Sequence, residues 1–469
     1  MTSNFEKLAQ ADKDHVLHPF TVLKDYSEGK AGDPRIVTGG KGMNIQDMNG
    51  NNLIDAFAGL YCMNIGYGRE EVADAIYKQA KELAYCHTYA QQSNEPIIRL
   101  SERICKMAPG NMERVFYGMS GSDANETQVK LVWYYHNVIG KPEKKKIISR
   151  ERGYHGSSII SGSLTGLPIY HTLFDQPTKP ILHTGSPHYY HNAKPGETEL
   201  EFSKRRAQEL EDMILAEGPD TIGGFIAEPV LGTGGITPPP EGYWEAIQPV
   251  LKKYDILLIC DEVITGFGRT GEMFGAFKYN IEPDLITIAK GLTSAYVPLS
   301  GAIVSKKVSD VLKQGSDVAG MFPHGYTYTG HPLGAAAANA VLDIVEREDL
   351  PGNAKEVGGY LQQRMQETFA QNPLVGEVRG VGMMAAIEFV ADRDTKECFD
   401  KTLKIGGRIS NACLAEGMIA RGMPHGDILG FSPPLSITKD DVDTIVGKAK
   451  IAIDRVSDEL IREKVWDAA

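Results

Sequence analysis

The 469-residue sequence lacks the signatures of several protein classes. Its six cysteines form no C-x-x-C pair, so we predict a reducing compartment and neither a metal site nor a disulfide framework. The formal charge is -12 and no long basic tract offers a footprint for a phosphate backbone, which argues against nucleic acid as a partner. No apolar run reaches the ~18 residues of a membrane span, and the polar N-terminus has no apolar signal core. We therefore expect a cytoplasmic protein.

The chain does contain a regular alternation of strand-like and helix-like segments. Between residues 114 and 305 the strand-like runs are RVFYG, KIISR, ILHT, TIGGFIAEPV, ILLICDEV, DLITIA and SGAIV. This rhythm predicts an α/β fold with a mostly parallel sheet and crossover helices on both faces. From about residue 331, an Ala-rich helix leads into GEVRGVGMMAAIEFV, GMIAR and ILGFSPP as strands and a long C-terminal helix. The predicted organisation is an N-terminal arm that is also part of a small α+β domain (1–60), a large α/β domain (61–330) and the C-terminal small domain (331–469).

Lys290 stands at an unusual place, because it directly follows the apolar run DLITIA. An ammonium group beside such a run is costly unless it is paired or neutralised. A second run, ILLIC, leads into Asp261. Since the strand ends of one parallel sheet converge on one crevice, we expect the two side chains to lie close together. A desolvated lysine is a nucleophile suited to the aldehyde of pyridoxal 5'-phosphate, whose ring nitrogen Asp261 would keep protonated. A salt bridge between the two strand ends is the alternative.

The turn SGS (120–122) lies between a predicted strand and an amphipathic helix. Gly121 and Ser122 present backbone N–H groups and a hydroxyl at the helix N-terminus, which is an anion site. A turn of this kind is usually only a helix cap. Combined with a lysine and a carboxylate, it supplies a grip for the phosphate of the same cofactor.

A planar cofactor ring also needs flat or apolar surfaces against its two faces. Tyr154 or His155, directly after a predicted strand, would stack on one face. Val263 follows Asp261 by two positions and points the same way in an extended chain, so it would cover the other face. Each of these side chains could instead belong to ordinary packing.

Six motifs, in this order along the chain, resemble those of the class III, or omega, aminotransferases of the pyridoxal phosphate fold type I enzymes. They are SGSDANE, RGYHG, AEPV, CDEVITGFGRTG, DLITIAKGL and YTYTGHPLGAAAA. The resemblance covers nearly the whole chain. It implies a large domain whose seven-stranded, mostly parallel sheet lies between helices, together with a smaller α+β domain.

The resemblance also implies roles for individual residues. Lys290 is similar to the Schiff-base lysine, Asp261 to the ring-nitrogen partner, Gly121 and Ser122 to the phosphate cradle, Tyr154 to the stacking ring, Val263 to the opposite face, and Glu228 to the acid that supports the site around Asp261. Thr327 is similar to a threonine that reaches the phosphate of the neighbouring subunit. The resemblance therefore implies a homodimer with shared active sites.

Further residues resemble the substrate pocket of omega-amino acid and amine:pyruvate transaminases. Phe20, Leu60, Tyr61 and Tyr89 are similar to the bulky walls of that pocket, beside Tyr154. Arg421 stands where related enzymes keep a mobile arginine for carboxylates, and Arg pairs bidentately with such groups. His425 or Arg269 could share that task.

The resemblance implies a ping-pong transamination from an omega-amino acid or primary amine to a keto acid, for which we expect pyruvate. A 4-aminobutyrate:2-oxoglutarate aminotransferase and an aminomutase of the glutamate-1-semialdehyde type are the alternatives within the family. Outside it, the segment GFGRTG (266–271) matches the G-x-G-x-x-G pattern of dinucleotide-binding enzymes, but it begins several residues after its strand and no long helix follows. A non-catalytic cofactor-binding protein is the remaining hypothesis.

Overall fold

The computed structural model describes residues 4–467 and begins with an N-terminal segment. It contains helices α1 (Asn4–His15) and α2 (Leu23–Ser27) and strands β1 (Val37–Lys41), β2 (Asn44–Asp47) and β3 (Asn52–Asp55). The Asp47 side chain accepts hydrogen bonds from the backbone N–H groups of Asn49 and Asn51 at 3.0 and 2.9 Å. An aspartate that accepts hydrogen bonds from the backbone just after it stabilises a tight turn, so the segment DMNGNN (47–52) forms a hairpin turn between β2 and β3.

A seven-stranded sheet makes up the centre of the molecule. Its strands are β4 (Met112–Gly118), β5 (Lys146–Arg150), β6 (Ile181–Thr184), β7 (Ile222–Ala227), β8 (Leu257–Asp261), β9 (Leu285–Ile288) and β10 (Ser300–Ser305). Their order is β4-β10-β9-β8-β7-β5-β6, and β10 runs antiparallel to both of its neighbours while the other pairings are parallel. Each predicted run contains one of these strands, so the prediction of a seven-stranded, mostly parallel sheet is confirmed.

Helices cover both faces of this sheet. They are α3 (Ala58–Tyr61), α4 (Glu70–Glu82), α5 (Glu95–Met107), α6 (Gly121–Val138), α7 (Ile159–Leu164), α8 (Tyr189–Asn192), α9 (Glu199–Glu217), α10 (Tyr243–Lys253), α11 (Gly275–Lys278), α12 (Lys306–Gln314), α13 (Ser316–Ala319) and α14 (Pro332–Arg347). Successive residues of a strand point to opposite faces. Leu258 of β8 accordingly packs in the core with α5, α9 and α10, whereas Ile259 packs in the core with α6 and α12.

The remaining elements form a second, smaller α+β region. They are α15 (Leu350–Phe369), β11 (Val375–Val381), β12 (Met384–Phe389), α16 (Ile405–Ala415), β13 (Met418–Ile419), β14 (Arg421–Gly422), β15 (Ile428–Phe431) and α17 (Lys439–Arg462). Strands β11, β12, β15 and β14 make one sheet, whereas β13 pairs in parallel with β3 of the N-terminal segment. Within residues 4–467, every helix is too short or too polar to cross a bilayer.

The run GMIAR was predicted as one strand, and the structure divides it between two sheets. The backbone N–H of Ala56 donates to the carbonyl of Ile419 at 3.0 Å, while Arg421 pairs with Gly430 in the other sheet. The chain therefore changes partner at Ala420. This change places Arg421 at the start of a short hairpin, β14 to β15, instead of in the strand beside β3.

Candidate active site

The carboxyl ends of β8 and β9 bring Asp261 and Lys290 together. The two strands are parallel neighbours, and Asp261 pairs with Thr287 in their register. Lys290 begins the short 3-10 turn Lys290–Leu292 just beyond β9, with a left-handed φ of 43°. A non-glycine residue in this region stores backbone strain, and such residues cluster at functional sites. The expected convergence of the two strand ends is confirmed.

The Lys290 ammonium group has a desolvated environment. Burial lowers the pKa of Lys290 below its usual value, while the charges of Cys62, Asp261 and Glu228 oppose that shift and Arg421 adds to it. Nζ lies 6.0 Å from the centre of the Tyr61 ring. A lysine with a lowered pKa holds more neutral amine near pH 7, and the neutral amine is the nucleophile.

Two side chains and one backbone N–H group of the large domain bind the Asp261 carboxylate. Oδ2 accepts hydrogen bonds from Asn125 Nδ2 at 2.9 Å and from His155 Nδ1 at 2.7 Å, and Oδ1 accepts one from the Val263 N–H at 3.1 Å. Thr287 Oγ1 donates to Asn125 Oδ1 at 2.8 Å, which orients the amide. These bonds satisfy the oxygens of a buried carboxylate. The strand-end salt bridge with Lys290 that the sequence left open is not formed.

His155 was one of two candidates for the ring that stacks on the cofactor. His155 also lines the cavity, but its imidazole is fully buried and donates to Asp261, so it supports the carboxylate. Tyr154 is only partly buried and lines the cavity. Tyr154 is therefore the better placed of the two for stacking.

The N-terminus of α6 forms the predicted anion cradle. Ser120 caps the helix, since its Oγ accepts from the Asp123 N–H at 3.2 Å while Asp123 Oδ1 accepts from the Ser120 N–H at 3.1 Å. The first-turn N–H groups of a helix have no intrahelical partner and attract anions. Ser122 Oγ accepts from the Ser157 N–H at 3.1 Å, which joins the cradle to the loop after β5.

Gly156 makes this junction possible. Its φ is +135°, and a Cβ atom there would lie 2.6 Å from Ser122 Oγ and 2.3 Å from Ser161 Oγ. A side chain at position 156 would therefore fill the space beside the cradle. Gly156 belongs to the motif RGYHG, but the sequence analysis did not identify this glycine as a residue of the site.

Glu228 joins two loops at the edge of the site. Its Oε1 accepts from the Tyr154 N–H at 3.0 Å, and its Oε2 accepts from the Gly232 N–H at 2.8 Å. Burial raises the pKa of Glu228, an effect that the nearby Asp261 increases and His155 opposes. Tyr61 Oη donates to the Gly232 carbonyl at 3.3 Å, so the same loop also orients Tyr61.

These side chains enclose a cavity of about 210 Å³. It is lined by Ser120, Gly121, Ser122, Asn125, Tyr154, His155, Gly156, Glu228, Asp261, Val263, Ile264 and Lys290. Seven of the predicted cofactor residues lie here, and Thr327 does not. Asn125 and Ile264 were not predicted. Asn125 lies one helical turn after Gly121, on the same face of α6, so its spacing was the available signal.

Arg421 lies beside this cavity among aromatic rings. Its guanidinium carbon is 5.5 Å from the centre of the Phe57 ring, which is 4.4 Å from the Tyr61 ring. The positive charge of Arg421 lowers the pKa values of both Tyr61 and Lys290. For Tyr61 this effect opposes the larger effect of burial, whereas for Lys290 it adds to the effect of burial. The structure thus brings Arg421 and Tyr61 together next to Lys290.

A second group of rings continues from Tyr154. The Tyr170 ring lies 5.2 Å from the Tyr154 ring and 5.0 Å from the Phe20 ring. Phe20 is 66% exposed and Leu60 is 55% exposed, so both lie at the surface of a single chain. Tyr170 and Phe57 were missed by the sequence analysis, because neither lies next to a recognisable strand end or helix start.

Tyr89 and Thr327 lie together on a different surface. Tyr85 Oη donates to the Thr327 carbonyl at 2.7 Å, and Tyr89 packs against Gly325. Thr88 Oγ1 donates to the Thr329 carbonyl at 3.3 Å, which fixes the two segments to each other. Tyr89 is 49% exposed and Thr327 is exposed as well. Neither residue reaches the cavity of its own chain.

Arg269 and His425 were weighed as partners of Arg421 in binding a carboxylate. Arg269 is fully buried, and its guanidinium donates to Asn64 Oδ1 at 2.6 Å and to the Pro433 carbonyl. Burial lowers the pKa of His425 to about 4, so this ring is neutral near pH 7. Arg269 is therefore occupied by structural bonds, and His425 carries no charge for a carboxylate.

The GFGRTG segment does not form a dinucleotide site. The next helix along the chain is α11, with four residues, and Glu262 in front of the segment is buried and accepts from the N–H groups of Gly275 and Ala276 at 2.9 and 2.7 Å. A dinucleotide site needs a long helix whose N-terminus faces the pyrophosphate. The dinucleotide hypothesis is wrong for this loop.

The amino-acid sequence matches the family described as Aminotransferase class-III over residues 26–453. The chain belongs to the class III aminotransferases. It is 65% identical over 463 residues to an uncharacterized aminotransferase, y4uB, of Sinorhizobium fredii, with 99% of each chain covered. It is 59% identical over 464 residues to the diaminobutyrate–2-oxoglutarate transaminase of Halomonas elongata, which covers 98% of this chain and 99% of the relative. The omega transaminase of Pseudomonas jessenii in complex with PMP is a structural neighbour with 41% identity and a TM-score of 0.93, covering 97% of this chain and 99% of its own.

Class III aminotransferases use pyridoxal 5'-phosphate, so this aminotransferase is a pyridoxal 5'-phosphate enzyme of fold type I. The cavity fits that cofactor on chemical grounds. An anion cradle at the start of α6, a buried carboxylate at Asp261 and a desolvated amine at Lys290 face one space, and they match a phosphate, a ring nitrogen and an aldehyde.

Proposed function

We propose that this aminotransferase moves an amino group from an omega-amino acid or primary amine to pyruvate by a ping-pong cycle. The proposal rests on Arg421, a cation held among aromatic rings within electrostatic reach of Lys290. The same pocket would take the apolar part of an amine donor in one half-reaction and the carboxylate of the acceptor in the other.

The residues of the cavity would have separate roles in such a cycle. The bound cofactor supplies an aldehyde for the amine and a ring that accepts electrons from the substrate carbon. Lys290 would hold the aldehyde carbon and, once displaced, carry a proton at Nζ between substrate and cofactor carbons. Asp261 would keep the ring nitrogen protonated, and Gly121 with Ser122 would bind the phosphate. Tyr154 and Val263 would cover the two ring faces.

The charges around the pocket favour an acceptor with one carboxylate. Arg421 is free of ion pairs to the carboxylates of residues 4–467. Arg269 is bound to Asn64 and Pro433, and Arg152 Nε donates to the Gly234 carbonyl at 3.0 Å. Neither arginine is directed at a second carboxylate. Pyruvate needs one such cation, whereas 2-oxoglutarate needs two to be bound equally well.

An acceptor with two carboxylates is the second candidate, because the relative from Halomonas elongata is a diaminobutyrate–2-oxoglutarate transaminase. We expect purified protein supplied with beta-alanine or an arylalkylamine to form alanine from pyruvate. The value of kcat/KM with 2-oxoglutarate should be lower by roughly tenfold, the loss expected when one charged hydrogen bond is not made. Liquid chromatography of alanine and glutamate measures both.

Three results of that assay would contradict the proposal. Glutamate formed faster than alanine at equal acceptor concentration would make 2-oxoglutarate the better acceptor. Turnover of an amine substrate without any added keto acid would indicate the aminomutase. Failure with every donor, in protein that still binds the cofactor, would leave the non-catalytic hypothesis.

We also propose that two chains form a homodimer with shared active sites. Tyr89 and Thr327 lie on one exposed surface that does not reach the cavity of its own chain. Phe322, Met321 and Tyr328 add further exposed apolar area to the same segment. A continuous apolar patch of this kind is typical of an interface between proteins.

Mixing two inactive variants tests this arrangement. Lys290→Ala removes the reactive amine, and Thr327→Asp places a negative charge where the proposal puts the partner's phosphate. Refolded together, the variants should recover about a quarter of wild-type activity, since half of the dimers are mixed and each has one complete site. Sedimentation should give twice the chain mass of 51.3 kDa. Activity that stays at the mean of the two variants would mean that each chain builds its site alone.

A further inference from the structure

The two oxygens of the Asp261 carboxylate have unequal surroundings. Oδ2 accepts two hydrogen bonds, from Asn125 Nδ2 at 2.9 Å and from His155 Nδ1 at 2.7 Å. Oδ1 accepts one, from the Val263 N–H at 3.1 Å. Each carboxylate oxygen has two lone-pair directions. Both directions of Oδ2 are therefore used, whereas Oδ1 keeps one for a further donor.

The amide of Asn125 has one favourable orientation. Its Nδ2 donates to Asp261 Oδ2 and also to the His155 carbonyl at 2.8 Å, while Asn125 Oδ1 accepts from Thr287 Oγ1 at 2.8 Å. Turning the amide over would place its oxygen against two acceptors. Asn125 is 1% exposed, so water does not replace the hydrogen bonds that would be lost. The amide is thus a fixed donor to Oδ2.

Thr287 owes its position to the sheet. It is the register partner of Asp261 in the parallel pairing of β8 and β9, and register partners point to the same face. Ile259 and Leu285, two positions earlier on these strands, pack in the core with α6, so both polar side chains point towards this helix. Thr287 is fully buried, and a buried hydroxyl needs a partner. Asn125 Oδ1 is that partner.

Helix α6 connects this contact to the anion cradle. Asn125 lies one turn after Gly121, at the start of the helix. Three residues further on, Gln128 Nε2 donates to the Ile286 carbonyl at 2.8 Å, so two side chains of α6 are bound to β9. The helix whose N-terminus attracts an anion therefore also supplies the donor to Asp261.

We propose that Asn125, oriented by Thr287, is a positioning residue that holds Asp261 by Oδ2 and leaves Oδ1 to meet the ring nitrogen of the cofactor. This inference rests on the role proposed for Asp261 in the catalytic cycle. The terminal torsion of an aspartate is broad, so a carboxylate without such bonds would sample several orientations. A donor fixed in advance directs the carboxylate at one point.

Thr287→Val tests the proposal without changing the carboxylate or the amide. Valine has the shape of threonine but no hydroxyl, so Asn125 Oδ1 loses its donor and the amide is no longer held. The holoenzyme is prepared with pyridoxal 5'-phosphate labelled with ¹⁵N in the ring, and the ¹⁵N chemical shift reports the proton on that nitrogen. The pH at which the ring nitrogen loses its proton should fall by roughly one unit, a tenfold change in the equilibrium.

The direction of the shift separates positioning from a purely electrostatic effect. An amide that donates to a carboxylate draws negative charge away from it, so loss of the donor alone would raise the pH at which the ring nitrogen loses its proton. Loss of position lowers that pH. Thr287→Val removes no charge, because the titratable groups around Asp261 are all kept, namely His155, Glu228, Cys260, Glu262 and Lys290.

Three further variants complete the experiment. Thr287→Ser keeps the hydroxyl and should titrate like the wild type. Thr270→Val is the matched control, because Thr270 is 1% exposed and its hydroxyl has no hydrogen-bond partner within residues 4–467, so the titration should not move. Asn125→Leu should lower the titration further than Thr287→Val. Adding Thr287→Val to Asn125→Leu should have no additional effect, because Thr287 acts through the amide.

Two outcomes would overturn the inference. One is a titration of Thr287→Val that stays at the wild-type pH or moves upward. The other is a shift in Thr287→Ser as large as that in Thr287→Val, which would make Thr287 a packing residue.

The role of Asp261 itself is tested separately with Asp261→Asn. If that variant moves the titration and Thr287→Val does not, only the positioning role of Asn125 and Thr287 is wrong. If Asp261→Asn leaves the titration unchanged, the ring nitrogen faces another group, and both the proposed role of Asp261 and this inference are wrong.

Discussion

Replacing Lys290 with alanine should lower kcat by roughly 10⁴-fold, the upper end of what a positioned acid-base group contributes. The loss is this large because one amine has two tasks. Its pKa is lowered by burial, so it is available as a neutral nucleophile near pH 7, and its position at the end of β9 places it beside Asp261. No second lysine lines the cavity that could replace it.

A second readout separates this role from general damage. Borohydride treatment of the wild-type holoenzyme should attach the cofactor to the peptide that contains Lys290, and mass spectrometry of the digest identifies that peptide. The Lys290→Ala protein should give no such peptide. Lys252→Ala is the matched control, since Lys252 lies on the surface in an ion pair with Glu282 at 2.6 Å.

The interpretation fails if the labelled peptide contains another lysine, or if Lys290→Ala keeps a tenth or more of wild-type turnover. Loss of the cofactor should not be the reason for the low activity of the Lys290→Ala protein. The substitution leaves the N-terminus of α6 and the Asp261 carboxylate unchanged, so the proposed contacts with the phosphate and the ring should remain. Added cofactor should still bind the variant, and its absorbance after gel filtration measures this.

The centre of the site could be predicted from the sequence because its residues lie at boundaries that local patterns mark. Asp261 ends an apolar strand, Lys290 follows another, and Gly121 with Ser122 begins an amphipathic helix. Strand and helix ends are visible as changes of periodicity. The parallel order of β8 and β9 then brings these ends together, which follows from the fold class alone.

The wall of the pocket could not be derived in this way. Tyr170 follows a short 3-10 turn, and Phe57 lies just before a kinked helical turn, so no periodic signal marks either. The contact between Phe57 and Arg421 depends on how the hairpin of β14 and β15 packs against the rest of the chain. The resemblance to the family identified Arg421 as a candidate. The change of sheet partner at Ala420, which sets the direction of the chain at Arg421, is visible only in the tertiary structure.

The roles assigned to Tyr89 and Thr327 depend on a contact between chains. A single chain places both on an exposed surface, so neither periodicity nor intrachain packing explains why these residues would belong to an active site. The same is true of Leu60 and Phe20, which are largely exposed in a single chain. The mixing experiment tests this directly for Thr327, because Thr327→Asp is one of its two variants.

Replacing Asp261 with asparagine should lower kcat/KM by roughly 10² to 10³-fold, the size observed when a preorganised electrostatic contact is removed. The substitution keeps the shape of the side chain, and its amide oxygen can still accept from Asn125 or His155. What disappears is the negative charge. A negative charge near a ring nitrogen raises the pKa of that nitrogen, and a neutral amide does not.

The pH dependence of the cofactor spectrum gives the decisive measurement. In the wild type, the carboxylate at position 261 should keep the ring nitrogen protonated to high pH, because it is buried and held by Asn125, His155 and the Val263 N–H. In Asp261→Asn, the ring nitrogen should lose its proton at a lower pH, so the spectral change should move downward. Asp255→Asn, which alters a surface pair with Lys141, should leave the titration where it is. An unchanged titration in Asp261→Asn would mean that the ring nitrogen faces another group, and the loss of activity would then be explained by packing around Asn125 and His155 instead of by charge.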